Sequence, residues 1–376
     1  MFSFKYLTCV FILIACLCFS STLARANPSC QINQQSPKVA FIVPTSGKHE
    51  FFDRLVELTQ AASKQLNIQL RLHLYDEPQY NRFYYAQYID NVLKAENDND
   101  YLISLFYSQT EKKVMDIVEK HNIRFFSFNS PLSNNVIKLL GKPREKTANW
   151  IGHLSPNDEQ AGYDLAKHLI DKSEQKAISM LAINGSRNSE VGKMRAQGLV
   201  RKVSENNEIT LLQLLHTDWT YQQARDKTAL ILQRYQDIDV IWSASDSLAR
   251  GVIDEIEHTN PTLLNNIITG SIDWSPQVVP YLKNNKVTAS YGGHIFEGAW
   301  LMALIYDHFN GLDFQNELGA VIHDNLLPIT KENAELIIKT DNDNINFKQL
   351  SKCLTPSTTK YNFNPLALLI NEISDE

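Results

Sequence analysis

From Lys38 to Tyr291 short β-rich runs alternate with stretches of helical period, and that rhythm restricts the chain to α/β architectures with parallel sheets. "KVAFIV" (38–43) is followed by "EFFDRLVELTQAASKQL", in which Phe51, Leu55, Leu58, Ala62 and Leu66 recur every three or four residues, as they do on one apolar helix face. "IQLRLHLY", "YLISLF" and "IRFFSF" continue the strand series, with helix-period segments between them. A stretch without periodicity, "SPLSNNVIKLLGKPREKTA" (130–148), interrupts it. The pattern then restarts with "NWIGHLS", "AISMLAI", "ITLLQLL", "DVIWSA", "NIITGSI" and "KVTASY". Helix-linked strands of this kind return by right-handed crossovers to parallel neighbours. A chain of this length also outgrows a single hydrophobic core. Two Rossmann-like lobes with parallel sheets, joined by a multi-crossing hinge, are therefore predicted. The first takes residues 27–145 plus about 293–330 and the second residues 146–292, while the polar tail 331–376 straps the lobes.

The N-terminus reads as an export signal. Lys5 precedes an uncharged apolar run from Tyr6 to Phe19, and Ala24-Arg25-Ala26 supplies the small-x-small pattern for cleavage near Ala26. That run is shorter than the roughly 20 residues needed to span a bilayer. "LIAC", ending at Cys16, resembles a lipobox and leaves a lipid-anchored form as the alternative. Lys5 and Arg25 are the charged residues of the leader, so its removal takes the net charge from −6 to about −8, which disfavours nucleic-acid partners. It also removes Cys9, Cys16 and Cys18, leaving Cys30 and Cys353 as a candidate disulfide in an oxidising compartment, or as two thiols. Two cysteines so far apart give no metal-site spacing.

In parallel α/β sheets the ligand lies beyond the carboxyl ends of the strands, and with two lobes in the cleft between them. The strand-end loops "PTSGKHEFF", "FNSPL", "NGSRNSE", "HTDWT", "SASD", "SIDWSP" and "YGGH" hold His49, Phe51, Asn129, Arg187, Trp219, Asp246, Asp273, Trp274 and His294. Rings beside carboxylates, amides and guanidinium groups suit a polyhydroxylated ligand, since the rings cover C–H faces while the polar groups engage hydroxyls. Structural roles compete for the same residues. Trp219 and Trp274 also fit as packing residues at helix starts, and Asp246 and Asp273 as helix caps. Arg195, in mid-helix, also fits as an internal brace, and His49 and His294 as surface or hinge residues. Phe51 and Phe52 are adjacent, so one faces the core and the other is freer to face the cleft. No G-x-S-x-G, H-E-x-x-H, P-loop or complete G-x-G-x-x-G is present, so neither an enzyme nor a cofactor is expected.

The opening segment 38–70, "HNIRFFSFNS", "NWIGHLSPNDEQAGYDLAKHL" and "VIWSASDSLARGVIDEI" with "IITGSIDWSP" together resemble the type I periplasmic binding proteins of the sugar-binding, ribose-binding-like class, over about 38 to 330. The resemblance implies a stacking aromatic at Phe51 or Phe52 with polar His49 beside it, and a polar pair at Asn129 and Ser130, where sugar binders often show Asp-Arg. It further implies a binding cation at Lys193 or Arg195, an aromatic at Trp219, polar Ser245 and Asp246, and an acid at Asp273. A final Gln is replaced by Gly293 beside His294. These departures imply a ligand other than a plain pentose or hexose. The implied function is that of a monomeric periplasmic receptor that closes around a small sugar-like ligand and delivers it to an ABC-type membrane permease. A receptor docking on a membrane sensor kinase or cyclase is the alternative, and an exported carbohydrate-active enzyme the third. A DNA-binding repressor is excluded, because the export signal occupies the place of a helix-turn-helix.

Overall fold

A computed structural model describes residues 30–44, 50–76, 82–339, 342, 344–355, 357 and 360–370. The export signal and His49 lie outside the described residues. The chain runs through β1 (Lys38–Pro44), α1 (Glu50–Gln65), β2 (Gln69–Tyr75), α2 (Tyr85–Ala95), β3 (Tyr101–Ser104), α3 (Glu111–His121), β4 (Arg124–Phe128), α4 (Asn134–Leu140) and β5 (Trp150–Pro156). It continues through α5 (Asp158–Lys172), β6 (Ile178–Asn184), α6 (Glu190–Ser204), β7 (Ile209–His216), α7 (Tyr221–Ile231), β8 (Val240–Ser243), α8 (Asp246–Thr259), β9 (Ile268–Asp273), α9 (Val279–Lys283) and β10 (Ala289–Gly292). It returns through α10 (Glu297–Phe309), β11 (Val321–Asp324) and β12 (Leu327–Ile329).

These strands form two six-stranded sheets, ordered β11-β5-β4-β3-β1-β2 and β12-β10-β9-β8-β6-β7. Every pairing is parallel except that of β10 with β12. The predicted two-lobe parallel architecture is therefore present, with two shifts at its borders. Residues 150–156, assigned from sequence to the second lobe, pair with β4 and β11 in the first sheet, where Ser127 lies opposite His153. The return segment about 293–330 is divided: α10 and β11 belong with the first sheet, and β12 joins the second. From strand to strand the chain thus crosses between lobes three times, after β5, after β10 and after β11, before the tail leaves β12 for α1 and α10.

Alternation along β1 sends Val39, Phe41 and Val43 to one apolar cluster and Ala40 and Ile42 to another, so the first sheet is buried on both faces. In the second lobe α5 and α6 pack unusually closely. A Cβ on Gly162 would sit 2.0 Å from the Arg195 carbonyl oxygen, so only glycine permits the approach. That contact sets Arg195 beside the first residue of α5.

The tail touches both lobes: Glu335 pairs with Lys283 of α9, while Ile345, Phe347, Leu350, Leu368 and Leu369 join the apolar cluster of Val39, Phe41 and Val43, and Phe363 stacks on Trp300 at 5.4 Å. The Asp307 carboxylate of α10 accepts from Ser351 Oγ, the backbone N–H groups of Lys352 and Cys353, and the Tyr361 hydroxyl. Next to this anchor Cys30 and Cys353 form a disulfide, with Cα atoms 5.5 Å apart across a sequence separation of 323 residues. A cross-link closing so long a loop restricts the unfolded chain strongly. Reduction, or Cys30→Ser, is expected to cost about 2–5 kcal/mol. Denaturant melts with and without reductant check this; an unchanged midpoint shows that the Asp307 anchor alone holds the tail.

Candidate functional site

The carboxyl ends of both sheets face a cleft of about 540 Å³ between the lobes. At its floor stands Arg195, only 3% exposed. Its Nε donates to Asp158 Oδ1 at 2.7 Å, and its Nη1 donates to the Ala244 carbonyl at 2.6 Å and to Asp273 Oδ1 at 3.2 Å. Nη2 lies 3.2 Å from His294 Nε2. Guanidinium nitrogens only donate, so Nε2 of His294 accepts and its proton sits on Nδ1. Burial, reinforced by the Arg195 charge, pushes the His294 pKa down to about 3 and keeps the ring neutral. Burial opposes charge on Arg195 as well, yet the carboxylates of Asp158 and Asp273 hold its pKa above the ordinary value.

The rest of the floor is built from the ends of β8, β9 and β10. Asp246 begins α8 but does not cap it: Ser245 is the cap, its hydroxyl accepting from the Leu248 N–H. The Asp246 carboxylate instead accepts from Ser271 and Ser290 hydroxyls and the Ser275 backbone N–H, tying three segments together. Burial, then the neighbouring Asp273 charge, lifts Asp246 to about 7. Asp273 is lifted to about 6 by burial, with Arg195 pulling the other way. Asp273 and Trp274 have φ of 138° and 71°, and Trp219 and Asn129 have φ of 71° and 66°. Non-glycine residues seldom adopt the left-handed region, and such strain of about 1–3 kcal/mol each gathers where geometry is held for a purpose.

The walls carry the rings. Phe51 stacks on His294 with centroids 4.5 Å apart, and Phe52 meets Phe51 edge-on at 5.2 Å. Trp219 stands on the other lobe, with the Arg195 guanidinium carbon 6.0 Å from its ring. Gly185 makes room for it, since a Cβ there would fall 1.9 Å from Trp219 Cε2. Asn129 Nδ2 donates to Glu297 Oε2 at 3.1 Å.

Of the residues singled out from sequence, Phe51, Phe52, Asn129, Arg195, Trp219, Asp246, Asp273 and His294 all line the cleft. Two do not. Trp274 is fully buried, its indole N–H donating to the Ser290 carbonyl at 2.9 Å within the core, so the turn that aims Asp273 at the cleft turns the next side chain away. Lys193 is exposed and paired with Glu190 at 2.6 Å. Tyr107, Ser108 and Glu111, following β3, also line the cleft and were missed, although the strand-end rule extends to them. Asp158 was missed because it reads as an ordinary acid in the first turn of a helix.

Across the cleft Arg250 of α8 donates to both carboxylate oxygens of Glu50 at the start of α1, each at 2.6 Å. This ion pair joins the lobes directly and is partly buried, with side-chain exposures of 17% and 30%. Arg250→Ala is expected to weaken ligand binding by roughly fivefold, the equivalent of about 1 kcal/mol, by favouring the open arrangement. Titration calorimetry on the variant and on Glu50→Gln checks it, since equal losses identify the pair.

Comparison with known proteins agrees with this geometry. The D-allose-binding periplasmic protein of Escherichia coli is 24% identical over 125 residues, a match spanning 33% of this chain and 40% of that protein. A periplasmic sugar-binding protein from Pseudomonas fluorescens superposes with a TM-score of 0.78 at 22% identity, covering 89% of this chain and 99% of the other. An ABC transporter periplasmic solute binding protein from Actinobacillus succinogenes with bound D-allose gives 0.67 at 18% identity, covering 80% and 99%. The periplasmic binding protein domain model matches residues 39–313, spanning β1 to β10 and the cleft residues from Phe51 to His294, and the chain belongs to that family of binding proteins.

Proposed function

We propose that the protein is a periplasmic receptor whose lobes close on a small polyhydroxylated molecule, a sugar or sugar derivative, and that it delivers this ligand to an ABC-type permease. The observation that carries the reading is the convergence, in one cleft, of the Arg195–Asp273–His294 cluster with Phe51 and Trp219 from opposite walls. In this reading the remaining Arg195 Nη2 N–H and the second Asp273 oxygen engage ligand hydroxyls, His294 Nδ1 donates, and Phe51 and Trp219 cover the C–H faces. Asn129 and Ser130 bring amide and hydroxyl groups instead of a charged clamp, which favours a neutral ligand contacted mainly by the second lobe. Ligand bound to both lobes selects the closed state by its differential affinity.

D-Allose and myo-inositol, present in solved relatives, head the compounds to test. A ligand at 100 times its dissociation constant adds about 2.7 kcal/mol of stability, readily seen as a thermal shift. A panel of furanoses, pyranoses and cyclitols in which none shifts the mature protein overturns the sugar reading. Loss of growth on the identified sugar after gene deletion tests delivery to a permease; unimpaired uptake excludes it.

A further inference from the structure

Each of the three strand-to-strand crossings between the lobes carries a buried acid. β5 passes into α5 at Asp158, β10 leads into α10 at Glu297, and β11 ends on Asp324 before β12. They are 2%, 0% and 9% exposed. Arg195 donates to Asp158 Oδ1 and Asn129 to Glu297 Oε2. Asp158 Oδ2, Glu297 Oε1 and both oxygens of Asp324 have no hydrogen-bond partner.

An ionised carboxylate buried without donors costs several kcal/mol, and one partner atom or ion has to make good the deficit. A metal is not the remedy, since no group of three or more His, Cys, Asp or Glu among the described residues could hold one. A proton is, because a protonated carboxylic acid has no charge to bury. The surroundings offer little countercharge. Arg195 faces the trio from α6 but is shared with Asp273 of β9, and His294, ahead of α10, is neutral. His153 of β5 is buried, its pKa lowered to about 3 by burial and then by His323 of β11.

We propose that Glu297 and Asp324, beside the ion-paired Asp158, form a proton-holding hinge, in which a proton on each of the two keeps the lobes close and its loss drives the crossings apart. The electrostatics give the sense and the window. Burial raises Glu297 well above the ordinary carboxylate range, aided by the Asp324 charge, and lifts Asp324 to about 7, aided by Asp158. Burial also raises Asp158, against the pull of Arg195. Acids raised in this way bind protons that the unfolded or opened chain releases, so the arrangement is favoured at low pH. The advantage declines as pH climbs from the ordinary carboxylate range through about 7, and is gone above the raised values.

The test uses the ligand-free mature protein, so it stands apart from the sugar reading. Small-angle scattering and hydrogen–deuterium exchange at about pH 5.5 and about pH 8.5 bracket the window. The expected result is a larger radius of gyration at the higher pH. Amides of residues 157–160, 293–298 and 324–327 should lose protection together, beyond the change in intrinsic exchange rate. Asp324→Asn with Glu297→Gln should remove both responses while retaining a compact protein. Unchanged dimensions and crossing protection in the wild type overturn the proposal, as does a full response in the amide variant. Where that variant does not fold, the wild-type exchange pattern at the three crossings decides.

Discussion

Arg195→Ala is expected to destabilise the protein by about 3–5 kcal/mol and to abolish ligand-induced stabilisation, because breaking a buried ion pair leaves its carboxylates uncompensated. Two acids, Asp158 and Asp273, lose their cation, and the Ala244 carbonyl and His294 Nε2 lose a donor. The defect should depend on pH. Without the guanidinium both acids take up protons more readily in the native state than in the unfolded chain, so the loss is largest above their raised pKa values and shrinks as pH falls below them. Arg195→Lys retains the charge but cannot fork onto four partners, so it should recover part of the stability and little of the binding. Urea melts across pH with a thermal-shift assay check both parts. An Arg195→Ala protein that melts and binds normally would remove the cluster from the centre of the site.

Much of this cluster is legible in the sequence once helix phase is applied. Lys193 and Arg195 are two residues apart on α6, about 200° around the axis, so they cannot share a face. Gly192, Ala196 and Leu199 are buried with Arg195 at spacings of three and four, which marks the inward stripe and leaves Lys193 outside it. The dual reading of Arg195 as ligand cation or brace resolves into one residue that braces Asp158 while lining the cleft. The lobe border was less legible. Residues 130–148 break the periodicity, yet β5 joins the first sheet through pairings such as Phe126 with Gly152, a long-range choice that local composition does not record. The hinge acids were invisible for the same reason, since each comes from a separate crossing and looks locally like a first-turn or strand-end acid.

The Asp273–Trp274 turn shows the sharpest limit, and a pair of substitutions exposes it. From sequence, Trp219 and Trp274 are equivalent: each follows an Asp at the end of a strand and precedes a helical segment. In the structure both have φ of 71°, but one ring lines the cleft and the other is sealed in the core. Trp274→Ala is therefore expected to cost about 3–5 kcal/mol of stability, the range for emptying a buried aromatic site, and to leave the Ser290 carbonyl without its indole donor. The folded fraction should still bind ligand, since the Asp273 carboxylate is held from the other side by Arg195. Trp219→Ala should do the reverse. Its ring is partly exposed, so stability falls less, while affinity drops by roughly 30-fold through loss of a stacking surface at the cleft. Gly185→Ala should mimic it in milder form, because its Cβ has to displace the Trp219 ring. Chemical denaturation beside calorimetry separates the two signatures. If Trp274→Ala abolishes binding in a fully folded protein, or Trp219→Ala leaves affinity intact, the backbone turn does not sort the two rings as described, and the ligand wall must be sought elsewhere in the cleft.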